Sequence, residues 1–152
     1  QEAGLPPVRG KFSFSGFEPD GQVTPEQEAA ISSYFRPMSL DECRAAKRSE
    51  IAAARWEAET AGIDVNGFTV RTDRESQALI TGAALQAIVD YDYECRWKTS
   101  DGFVHLSAEQ IKYIAQIVRL HVQSCFDREA ELLPLIEAAE SPEELGGIAW
   151  GI

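Results

Sequence analysis

Apolar residues return at three- and four-residue steps from Ile111 through Ile114, Val118, Val122 and Cys125 to Leu132 and Ile136, the period of one face of a helix. Ser107 with Gln110 supplies a capping box at the start. Pro134 falls inside the pattern and predicts a kink, because it removes one ladder bond and crowds the carbonyl of Ala130. A helix running to Ala139 would be about 48 Å long at 1.5 Å per residue. A compact domain of this size has a radius of gyration near ~13 Å. The helix is therefore expected to break between Phe126 and Pro134 or to pair outside its own domain. Ile117 and Leu120 lie off the main stripe and widen the apolar surface toward a partner.

Upstream, Ser39 and Glu42 form a second capping box, and the segment from there to about Ala61 has no Gly or Pro until Gly62 supplies a left-handed stop. Leu40, Cys43, Ile51, Ala54 and Ala58 give this helix a narrow face of mostly small side chains. Ile63-Asp64-Val65, Asn66-Gly67, Phe68-Thr69-Val70 reads as a hairpin closed by a type I′ turn, since Asn-Gly tolerates positive φ. Thr72 and Glu75 are expected to cap a further helix to about Asp90, with Leu79, Leu85, Ile88 and Val89 as its apolar contributors. Tyr93 to Lys98 alternates with Tyr93, Cys95 and Trp97 on one face. Ser100-Asp101-Gly102 then turns, and Phe103-Val104-His105-Leu106 returns as a second hairpin. Trp97 and Phe103 are expected to pack on the last helix. Ser141-Pro142-Glu143-Glu144 starts one more short helix that Gly146-Gly147 ends.

Residues 1–38 read differently. Five prolines and a Pro19-Asp20-Gly21 turn signal make them irregular, apart from a two-period stretch at Phe12-Ser13-Phe14. Thr24, Pro25 and Gln27 open a short helix with Ile31, Tyr34 and Phe35 on its apolar side, stopped by Pro37. The expectation is an extended arm, 1–38, that docks through Phe12, Phe14, Tyr34 and Phe35, ahead of a domain over 39–152. Helix, hairpin, helix, hairpin, helix is an α+β order.

Composition narrows the possible partners. The 44% hydrophobic content of 152 residues can bury a core, so disorder throughout is not expected. The formal charge of −11, from 25 acids and 14 bases, opposes phosphate, and no nucleic-acid partner is expected. No apolar run reaches the ~20 residues of a membrane span and no basic-then-apolar leader opens the chain, so no membrane partner is expected either. Gln1 stands where a Met would, as expected of a processed or excised chain. Cys43, Cys95 and Cys125 are an odd number without a short-spaced pair, which fits reduced thiols in a bacterial cytoplasm.

Four segments carry a family resemblance. They are Trp97-Lys98-Thr99-Ser100-Asp101-Gly102-Phe103-Val104; His121-Val122-Gln123-Ser124-Cys125-Phe126-Asp127-Arg128-Glu129; the Ala45–Ala54 stretch Ala-Ala-Lys-Arg-Ser-Glu-Ile-Ala-Ala-Ala; and Thr81-Gly82-Ala83-Ala84-Leu85. Together, from about Leu40 onward, they resemble an uncharacterised domain found near the C-termini of bacteriophage tail and tail-fibre proteins. The resemblance implies a place in the virion tail, after synthesis in the host cytoplasm, but no chemistry.

The candidate chemistry is thin. His121 and Cys125 stand four apart on one helix face, half of a zinc site, but Cys125 falls on the apolar stripe where small buried thiols are ordinary. No Gly-x-Ser-x-Gly elbow and no phosphate-cradling glycine loop is present. Paired acids such as Asp90 with Asp92 are what 25 acids supply by chance. No catalytic residue, metal or cofactor is expected, and the chain is not expected to be an enzyme; an envelope hydrolase is the rival class. The hairpin tip with Lys98 and Asp101 is the stronger candidate, as a contact rather than a catalyst. The expected function is structural: a tail or tail-fibre/baseplate component joining virion proteins through helix faces and the arm, as a homo-oligomer. A tail-fibre assembly chaperone absent from the mature particle is the alternative.

Overall fold

Ser107 and Gln110 exchange the two hydrogen bonds of the predicted cap, at 3.0 and 3.4 Å, and from there α4 (Ala108–Ala138) runs 31 residues without a break. The structure is a computed structural model; it describes residues 9–13, 16–34, 37–99 and 102–151, with the side chains of 11–13, 16–19, 33 and 34 outside that description. Pro134 does not stop the helix. It and Ala130 both lie on the exposed side, so water can take the carbonyl that the missing N–H frees.

The fold is α+β, and α4 is its spine. In chain order before it come β1 (Gly10–Ser13), β2 (Gly16–Pro19), α1 (Pro25–Tyr34), α2 (Leu40–Thr60), β3 (Ile63–Val65), β4 (Phe68–Val70), α3 (Arg74–Val89), β5 (Glu94–Thr99) and β6 (Gly102–Ser107). After it comes α5 (Pro142–Gly146). Each strand pairs with its sequence neighbour, giving three two-stranded antiparallel sheets among the described residues. The pairing of β1 with β2 was not anticipated. Gly16 and Pro19 weaken the strand pattern of β2, although Pro at a strand end costs no ladder bond.

The expected break or overhang of α4 is not what the structure shows. α2 and α3 lie one after the other along it, both antiparallel to it, so one elongated copy covers most of the helix. Cys43 and Ile51 of α2 meet Leu132 and Ile136 near its C-terminus. Ile80 of α3 meets Val118 and Val122, and Ala87 meets Ala108 and Ile111 nearer its start. Ile51 and Ile136 are sealed from solvent, worth about 1.5–3 kcal/mol each. α5 closes the far end with Leu145, and Trp150 packs beside it. The assumption that failed was compactness: a rod two helices long needs no partner to bury its spine.

Charged residues set the register of α2 on α4. Arg44 donates to the Ala139 carbonyl at 2.8 Å, supplying a cation to a helix end with no basic residue of its own. Arg48 pairs with Glu137, and Arg55 with Glu129 at 3.0 Å. His121 approaches the Ala58 carbonyl at 3.1 Å.

One predicted detail of α3 is overturned. Its N-cap is Asp73, whose side chain accepts from the Ser76 N–H, and not Thr72 with Glu75. Thr72 is instead fully buried, donating to the Glu59 carbonyl at 2.6 Å and accepting from Gly62 N–H at 3.0 Å. The helix also turns its bulk outward. Leu79, Leu85, Ile88 and Val89 are 58%, 61%, 58% and 81% exposed, while Ile80, Ala83, Ala84 and Ala87 face the interior. Residues 76–89 include no charge, so no charged side orients the helix, and the flat alanine face allowed the closer approach.

Candidate functional site

The β5–β6 hairpin places its side chains by simple alternation. Tyr93 precedes it and, with Cys95, Trp97, Val104 and Leu106, forms the face turned to the helices, as predicted for the first three. Arg96 opposite His105 and Lys98 opposite Phe103 form the outer face. Phe103 is 71% exposed, which corrects its expected packing on α4. Residues paired directly across two strands share a face, and the register puts Phe103 with Lys98. Trp97 packs in the central cluster with Ile114, Ile117 and Val118.

The β3–β4 hairpin stands beside it. Asn66 (φ 54°) and Gly67 (φ 82°) make the predicted tight turn, and Asp64 accepts from the Gly67 N–H at 2.9 Å. Between the two hairpins, over the first turns of α4, lies a mostly apolar cleft of about 430 Å³. Val65, Ile80 and Ile114 form its floor, with Phe68, Trp97 and Tyr113 as its aromatic members. Phe68 and Tyr113 remain about half exposed within one copy. Sequence reasoning missed this cleft because it forms between two local hairpins that stand on either side of α3 in the chain; the aromatic Phe68 beside the turn is the local signal that could have pointed to it.

His121 and Cys125 lead elsewhere. A carbonyl can only accept, so the contact with Ala58 requires the proton on His121 Nε2, which leaves that nitrogen no lone pair for a metal. Burial, and next the neighbouring Glu59, push the Cys125 thiol above its ordinary pKa, and burial does the same to Cys95. Neither thiol is poised as a nucleophile. Among the described residues no cluster of three or more His, Cys, Asp or Glu is arranged to hold a metal.

Beside them lies a dense polar knot. Glu59, fully buried, receives Arg55, Arg74 and Gln77, while Arg55 reaches Glu129 and lies 4.7 Å from the Phe126 ring centroid. Burial works against the charge of Arg55, but Glu59 and Glu129 outweigh it and raise its pKa. Arg74 stacks over Trp56 at 5.1 Å. Every group in the knot is spent on another, so it joins elements rather than offering a site.

The expected contact residues are scattered. Phe14, Phe35 and Asp101 lie outside the described residues, as do the side chains of Phe12 in β1 and Tyr34 at the end of α1. Lys98 is exposed on the outer hairpin face, Ile117 is half buried in the central cluster, and Leu120 faces solvent on α4.

A family model described as Domain of unknown function (DUF4376) matches residues 42–149. The chain belongs to this family. The matched DUF4376 span starts in the first turn of α2 and ends past α5, so it contains the spine, both of the hairpins that flank the cleft, and the polar knot, and leaves β1, β2 and α1 outside. No curated protein and no solved structure matches the chain.

Proposed function

We propose that this DUF4376 protein is a structural component of a bacteriophage tail or tail-fibre/baseplate assembly, in which it joins virion proteins. The observation that carries the joining role is the cleft between the hairpins: an apolar hollow rimmed by Phe68 and Tyr113, held on rigid strands and a capped helix. Aromatic side chains in such a setting are what protein partners anchor on. The tail setting rests on the resemblance of the four segments quoted above. The role proposed is a non-catalytic one, a reading supported by the burial of Cys125 in the core stripe and by the hydrogen bond of His121 to the Ala58 carbonyl.

The test is mass spectrometry of purified particles with cross-linking to identify neighbours, for the wild type and a Phe68→Glu/Tyr113→Glu variant. The wild type is expected in the particle, with cross-links near the cleft, and the variant is expected to fold yet be excluded. A protein bound to fibre in lysates but missing from particles selects the chaperone alternative. Equal incorporation of the variant overturns the role of the cleft.

A further inference from the structure

The outward face of α3 has a pattern of its own. Ala78, Gly82, Leu85 and Val89 follow each other at steps of four, three and four, the spacing of a coiled-coil seam, and all four are exposed. Leu79 and Ile88 flank them, also exposed. An exposed run of apolar residues on a helix is ordinarily covered, and one copy covers only the side of Ile80 and Ala87. We propose that two copies of the chain pair through this seam, with their α3 helices antiparallel about a twofold axis. This pairing is independent of the tail reading.

Three features favour a second copy as the occupant. In a chain carrying −11, two copies repel over most of their surfaces, and the stretch 76–89 brings no charge of its own to the seam, leaving Glu75 and the other copy's Asp92 as the acids that come level at its two ends. Size complementarity fixes the orientation. An axis midway between Ala83 and Ala84 sets Ala78 against the other copy's Val89 and Gly82 against its Leu85, so a small residue faces a large one at each level. A parallel pair would stack Gly82 on Gly82 and Leu85 on Leu85. The glycine fits the same arrangement: a Cβ at Gly82 would meet nothing within 4 Å in one copy, so the space it leaves is open toward a neighbour.

The experiment is sedimentation equilibrium of the full chain from about 1 to 200 µM, a range that brackets micromolar dissociation constants. The mass is expected to rise from 16.8 kDa toward twice that value. Leu85→Glu, a change at an exposed position, is expected to stay at 16.8 kDa throughout. Gly82→Leu leaves the protomer fold intact because its Cβ enters open space, and it is expected to weaken association roughly tenfold or more by holding the helices apart. The Ala78→Cys/Val89→Cys double variant is expected to oxidise to a covalent dimer far faster than either single variant or the wild type. A wild type that remains at 16.8 kDa, or a Leu85→Glu chain that associates as the wild type does, overturns the pairing. Equal cross-linking by Val89→Cys alone overturns the antiparallel arrangement.

Discussion

The Glu59 carboxylate at the end of α2 and the Arg74 guanidinium at the start of α3 meet at 3.0 Å across the hairpin that separates their helices. Glu59 also holds Arg55 of its own helix and Gln77 of the next. Because α2 and α3 share α4 end to end, their relative placement decides whether Ile51 and Ile80 both reach the spine. The junction also sets the root of β3 and β4, and hence one wall of the cleft. A buried carboxylate is costly to dehydrate, so its return lies in fixing geometry more than in net stability.

Removing that carboxylate leaves Arg55 partly buried with one acid instead of two. Glu59→Ala is therefore expected to lose about 3 kcal/mol, and Glu59→Gln less, because the amide oxygen can still accept from Arg74. Urea unfolding followed by circular dichroism reads both. Equal midpoints for the wild type and Glu59→Ala would show that the knot closes around the gap.

Asp73 makes a pH-dependent contribution. The Ser76 N–H, then the Ser76 hydroxyl and Arg71, hold its carboxyl below the ordinary value of 3.8. A carboxyl with a depressed folded-state pKa stabilises in full above its unfolded value, and this contribution fades as pH falls from 3.8 through the lower folded value. Asp73→Ala is expected to lower the unfolding midpoint at pH 7 and to remove this part of the acid-side slope. Asp73→Ser is expected to keep the cap and lose the slope. Parallel stability curves for the wild type and Asp73→Ala between pH 2 and 5 would refute the assignment.

The thiols should report the same architecture. Cys43 and Cys125 are buried and Cys95 is half buried, with burial raising the pKa of Cys95 and Cys125. Native protein at pH 7 is expected to be alkylated first at Cys95, more slowly than a free cysteine, and at Cys43 and Cys125 only after unfolding. Peptide mapping of a time course gives the order. Early labelling of Cys125 would mean that α4 opens locally beside the knot.

What could be read in the sequence was whatever is decided locally. The Ser39 and Ser107 caps, the Asn66-Gly67 turn and the alternation at Tyr93, Cys95 and Trp97 each depend on a few neighbouring residues, and each has the predicted geometry. The stripe from Ile111 to Ile136 was legible because a polar face opposes it. α3 has no such contrast, so its phase was set by which side lay closest to Ala108 and Ile111, a choice that alanines win over leucines despite their smaller area. Thr72 and Asp73 were both competent caps, and the buried Glu59 carbonyl and Gly62 N–H claimed the first. The cleft depends on two hairpins meeting in space, and no local pattern encodes that.

Pro134 offers a test of how far the spine is optimised. Proline within a helix costs about 3 kcal/mol relative to alanine, part of it offset because proline also restricts the unfolded chain. At position 134 the ring points to solvent and Ala130, whose carbonyl goes without its partner, is exposed too, so neither packing nor a buried contact depends on the residue directly. Pro134→Ala is therefore expected to stabilise the protein by about 1–2 kcal/mol, seen as a higher urea midpoint with an unchanged slope. The residues that could reverse the sign are Leu132 and Ile136 on the opposite side. If a bend at Pro134 is what brings both onto Cys43 and Ile51, straightening the helix would pull one of them away, and the midpoint would fall instead.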